Sequence, residues 1–117
     1  AAGRKMRQLL VYLIPLLVVI GPSNADAASY AEVKAAALAG DYQAQRNLAF
    51  GYTDLPYAGQ DKDPVQACAW RMVIMVSGSA DNTDAGNFQM YCGELAPNDY
   101  RAAMRGAGAL LQKLAHE

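Results

Sequence analysis

The chain has 117 residues, 53% of them apolar and 18% charged, with a formal net charge of −1. That length allows one small domain, and outside residues 4–7 there is no basic cluster of the kind a generic nucleic-acid binder needs. The charge is uneven: residues 1–27 carry +2 and residues 28–117 carry −3.

Arg4, Lys5 and Arg7 precede an unbroken apolar run over residues 9–20. Gly21 and Pro22 break it, and Ala25-Asp26-Ala27 has the small-x-small pattern of a processing site before Ala28. This order is that of a secretory signal peptide. The run is shorter than the ~20 apolar residues that comfortably span a bilayer. A helix over residues 4–20 would still reach roughly 25 Å, so an uncleaved signal anchor is the alternative. No Cys lies near the break, so a lipoprotein attachment site is absent. Either reading exports residues 28–117, because the basic end stays in the cytoplasm.

The exported part reads as helices throughout. Ser29 and Glu32 have capping-box spacing, and an Ala-rich stretch follows to Ala39. Gly40 fits a left-handed helix end, and Asp41 can cap the next helix at once. Helices are expected over 29–39 and 41–53, with Ala44, Leu48 and Tyr52 on one buried face. Residues 54–63 are rich in Pro, Gly and Asp and read as a loop. Asp63-Pro64 then restarts a helix to about residue 77. That helix is apolar nearly all round and should be central. Arg71 interrupts it, and is either an Arg reaching solvent by its stem or a buried Arg paired with an acid or a partner chain. A short helix is expected over 84–95 with Phe88, Tyr91, Cys92 and Leu95 inward. Pro97 opens the last helix, where Tyr100, Met104, Ala107, Leu111 and Leu114 are spaced as a packing seam.

Cys68 and Cys92 are the two cysteines. In an oxidising compartment they are expected to pair, which would contribute on the order of 3 kcal/mol; two buried thiols are the alternative. No C-x-x-C motif exists, and two Cys without a partner His make no structural zinc site.

The order Gly40, Ala44, Leu48, Tyr52, then a Gly/Asp loop, then Asp63, Ala67, Trp70 and Gly78 resembles the unit of the Sel-one-like repeat family, relatives of the tetratricopeptide repeat. Gly40 and Gly78 close successive units about 38 residues apart, within the helical-repeat range. After Gly78, the residues Asp84, Phe88 and Cys92 imitate a degenerate second unit. The resemblance implies an all-α repeat domain over residues 28–117 and an interaction scaffold. It carries over no catalytic residue and no cofactor.

The remaining chemistry is sparse. His116 is the single His, one residue from the end of the sequence. Residues 81–86 glance at a calcium loop but lack the acids at the required positions. No Ser-x-x-Lys nucleophile pattern is present. The expectation is a non-catalytic module on the periplasmic side of a bacterial inner membrane, binding other subunits of a membrane complex. Tyr42, Tyr57 and Arg71 are the candidate partner contacts, and an uncleaved anchor would add contact with the bilayer. A soluble periplasmic repeat protein after cleavage is the alternative, followed by a small enzyme acting on cell wall or β-lactam.

Overall fold

The structure, a computed structural model, describes residues 28–116. The expected signal peptide or anchor at residues 1–27 lies outside them. Five helices follow one another: α1 (Tyr30–Leu38), α2 (Tyr42–Gly51), α3 (Pro64–Met75), α4 (Asn82–Gly93) and α5 (Pro97–Ala115). The described residues contain no strand, so the fold is all-α. No helix among them is long and apolar enough to cross a membrane.

The helix starts follow from local chemistry. Ser29 Oγ accepts from the Glu32 backbone N–H at 3.1 Å, and the Glu32 carboxylate accepts from Ser29 N–H at 3.3 Å. These two bonds satisfy amides that the helix itself leaves orphaned. Gly40 turns the chain at φ +95°, and Asp41 caps α2 by accepting from Ala44 N–H at 2.8 Å. Asp63 caps α3 by accepting from Gln66 N–H at 3.1 Å, with Pro64 in the first position. Helix α4 begins earlier than expected, at Asn82, because Asp81 and Asp84 form a reciprocal capping box at 3.0 Å in each direction.

Helix α3 is the centre of the molecule. It packs against α2, α4 and α5, while α1 packs on α2 and touches α5. Seven of its residues are buried, from Ala67 to Ile74. The larger core joins Val33, Ala37, Leu48, Tyr52, Trp70 and Ala107. A second cluster joins Cys68, Cys92 and Ala103, with Phe88, Leu95 and Tyr100 against it. Cys68 and Cys92 form a disulfide that ties α3 to α4, with their Cα atoms 5.0 Å apart. No free cysteine remains among the described residues.

The register of α5 corrects the expected seam. Ala103 and Ala107 are the buried positions, Leu110 and Leu114 pack beside them, and Met104 and Leu111 are exposed. The reason is close approach to α3: a Cβ on Gly106 would lie 3.3 Å from the Ala69 Cβ. Small residues let two helices meet at that distance, so the larger Met104 and Leu111 turn outward.

Candidate protein-interaction surface

The repeat-motif residues assemble one interface. Leu48, Tyr52, Ala67 and Trp70 are buried in the same core, with Ala44 packed against it. Asp63 is the α3 cap. Gly40 and Gly78 both adopt positive φ, at +95° and +87°, which L-residues rarely tolerate. These eight positions hold the α2–α3 pair together.

Helices α2 and α4 lie on α3 side by side, and polar side chains bridge them at two places. At the first bridge, Asp84 is fully buried. It accepts from Arg46 Nε at 2.9 Å, from the Tyr42 hydroxyl and from the Asp81 backbone N–H at 3.0 Å. Arg46 also reaches Asp81 at 3.8 Å and lies over the Tyr42 ring at 5.2 Å. Burial alone would raise the Asp84 carboxyl, but the bonds from Tyr42 and the Asp81 backbone, with the Arg46 charge, hold it below the usual carboxylate range. The Asp84 bond in turn raises the Tyr42 hydroxyl.

At the second bridge, the Tyr91 hydroxyl donates to Asp54 at 2.9 Å, and Thr53 donates to the same oxygen at 2.7 Å. These bonds, Thr53's foremost, lower the Asp54 carboxyl, whereas burial and Asp54 raise Tyr91. The first bridge joins the starts of α2 and α4, and the second joins their far ends, so the two helices run parallel.

Arg71 of α3 lies between the bridges. It is 3% exposed, so the expected stem reaching into solvent is corrected. It is also not paired with an acid: the ion pairs among the described residues are those of Arg46. Its Nε is buried without an acceptor, and its guanidinium carbon sits 5.2 Å from the Tyr91 ring centroid. Burial lowers its pKa. The other two candidate contacts also have internal roles. Tyr42 is committed to Asp84, and Tyr57 packs on the larger core while its N–H donates to Gln60 at 3.0 Å.

The second bridge opens onto a groove of about 620 Å³, lined by Thr53, Asp54, Pro64, Met90, Tyr91 and Leu95 among others. Apolar side chains flank this end of the molecule: Phe50 is 43% exposed, Leu55 72% and Met90 49%. On the other side of α3, a groove of about 450 Å³ lies between α1, α3 and α5, with Tyr30, Trp70 and Leu110 beside Lys34 and Lys113. There the Tyr30 and Tyr52 hydroxyls meet at 2.7 Å.

Sequence reasoning found the cysteines and the repeat positions but missed Asp84, Arg46 and Tyr91 as bridging residues. The Asp81-x-x-Asp84 spacing was a usable signal for the cap. The long-range partners had no local signature. Among the described residues, no three His, Cys, Asp or Glu side chains gather as a metal site. The chain matches no family model, no curated protein and no solved structure.

Proposed function

We propose that residues 28–117 form a non-catalytic protein-interaction module of the Sel-one-like kind. It acts on the periplasmic side of a membrane as an accessory or assembly subunit of a membrane complex, anchored by the N-terminal segment. The observation that carries this reading is the groove at the second bridge. It combines the exposed Met90 with the polar groups Thr53, Asp54 and Tyr91, and the exposed Phe50 and Leu55 adjoin the Thr53–Asp54 segment in sequence. Apolar contacts beside placed hydrogen-bonding groups are the anatomy of a protein interface. A large apolar side chain left at 72% exposure gains free energy when a partner covers it. Asp54 and Tyr91 of the groove are engaged with each other across α2 and α4.

Native mass spectrometry of the protein, purified from its own host membranes in mild detergent, tests this. The expected result is a complex of fixed stoichiometry with a second polypeptide, well above the 12.5 kDa of the chain itself. A lone chain under conditions that preserve other membrane complexes contradicts it.

A further inference from the structure

We infer that the groove between α1, α3 and α5 is a binding site for a small organic acid, one carboxylate carried on an apolar body. The inference goes beyond the interaction reading above and does not depend on it, because it concerns a different groove. The volume is about 450 Å³, within the ~300–1,000 Å³ of small-molecule sites. The lining comes from four parts of the chain: α1, the segment from Tyr52 to Asp63, α3 and α5.

Charge selects an anion. Lys34, Lys62 and Lys113 line this groove, and they are all the lysines of the described residues. They come from α1, the loop before α3, and α5, and Lys62 also borders the groove at the second bridge. None of them forms an ion pair with a described residue, although Asp61 and Asp63 line the same groove. Asp63 is spent on capping the Gln66 N–H at 3.1 Å. Three ammonium groups against two carboxylates leave the lining at +1, while residues 28–117 carry −3 overall. A positive groove on an acidic domain concentrates anions there. One carboxylate neutralises the lining, whereas a dianion or a nucleic-acid backbone would exceed it.

The tyrosines add an uncharged donor. Tyr30 and Tyr52 line the groove, and their hydroxyls share one hydrogen bond at 2.7 Å. One hydroxyl donates to the other, so the second proton is left without an acceptor among the described residues. Burial, and then the Tyr30 bond, raises the Tyr52 hydroxyl, so the pair stays protonated at neutral pH and can donate to a carboxylate. Lys34 is held beside it, its Nζ 5.7 Å from the Tyr30 ring centroid. Leu38, Trp70 and Leu110 supply apolar wall in the same groove. That wall favours an acid with an apolar body over a bare anion.

Trp70 is the single Trp of the chain and lines the groove, so its fluorescence reports the site directly. The full chain in a neutral detergent is titrated at constant ionic strength with phenylpropionate, the neutral phenylpropionamide, the cationic phenylpropylamine and acetate, with calorimetry in parallel and protein-free detergent as the blank. Phenylpropionate should bind saturably and change the Trp70 emission. The amide, the amine and acetate should bind roughly tenfold more weakly or not at all, the scale of a charge-assisted hydrogen bond. Lys34 and Lys113 are exposed, and K34Q and K113Q should each weaken phenylpropionate binding about two- to fivefold. R101Q, on α5 but outside the groove lining, should leave it unchanged. The absence of saturable phenylpropionate binding overturns the inference, as does equal binding of the amide, the amine or acetate, or wild-type binding by both lysine variants. A capped Ala-Glu-Phe peptide that binds more tightly than phenylpropionate would also overturn it, and would assign the groove to a partner protein. The main comparison is made on the unmodified chain, so it does not depend on a variant folding.

Discussion

Replacing Asp84 with Ala removes the centre of the first bridge. The side chain is fully buried and bonded to Arg46, Tyr42 and the Asp81 backbone N–H. Deleting one member of a buried pair typically costs about 3–5 kcal/mol. Arg46 is 25% exposed and can recover some hydration, which places D84A near the lower end, about 3 kcal/mol. For a domain of this size that corresponds to a fall in Tm of about 12–24 °C. D84N keeps the shape and one acceptor, so it should cost about half as much. The pH dependence gives a second readout. A carboxyl whose folded-state pKa lies below its unfolded value of about 3.9 contributes fully above that value. Its contribution is lost as pH falls through the depressed folded pKa. Asp84 is lowered in this way, so the wild-type chain should lose stability below about pH 4 and D84N should lose less. Thermal melts followed by circular dichroism from pH 7 to pH 2 measure both effects. A D84A melt within about 2 °C of wild type (below about 0.5 kcal/mol) would refute the bridge, as would identical acid limbs for wild type and D84N.

Other consequences are separable. Reducing the Cys68–Cys92 bond, or a C68A/C92A double variant, should lower stability by about 3 kcal/mol in urea unfolding, with the helical circular dichroism of the native state retained. Gly51→Ala would drive a methyl into Gln60, whose amide donates to Leu48 O at 3.1 Å and accepts from Tyr57 N–H; the expected cost is about 1–3 kcal/mol by the same assay. Leu48→Ala empties a site of 0% exposure between α2 and α3 and should cost about 2–5 kcal/mol. Met104→Ser and Leu111→Ser fall on the exposed face of α5 and should change stability by less than about 0.5 kcal/mol each. A larger loss would restore the seam that the spacing suggests.

Much of the fold is legible in the sequence because its signals are local. The Ser29–Glu32 box, Asp41, Asp63-Pro64 and Pro97 each act within one helical turn, and the structure has a helix start at each. Gly40 and Gly78 need only their own backbone geometry. The α5 register fails for a physical reason. Hydrophobic spacing favours large residues, but α5 meets α3 through Ala103, beside Cys68, through Gly106, against Ala69, and through Ala107 in the larger core. Close approach outranks side-chain size there. The first bridge is illegible because its partners are 38 and 42 residues apart in sequence. Arg71 stands out as an anomaly in an apolar helix, yet its burial depends on tertiary packing, including the Tyr91 ring of α4 at 5.2 Å, which no spacing rule encodes.

The most direct measurement is position-specific photo-crosslinking in the living host. A photoreactive phenylalanine analogue would replace Met90 at the groove, the exposed Phe50, or, as the control, the exposed Gln112 of α5 away from it. One discrete adduct is expected from positions 50 and 90, and none from position 112. Adducts of equal yield from the groove and from position 112, or no adduct from the groove, would contradict the interaction reading.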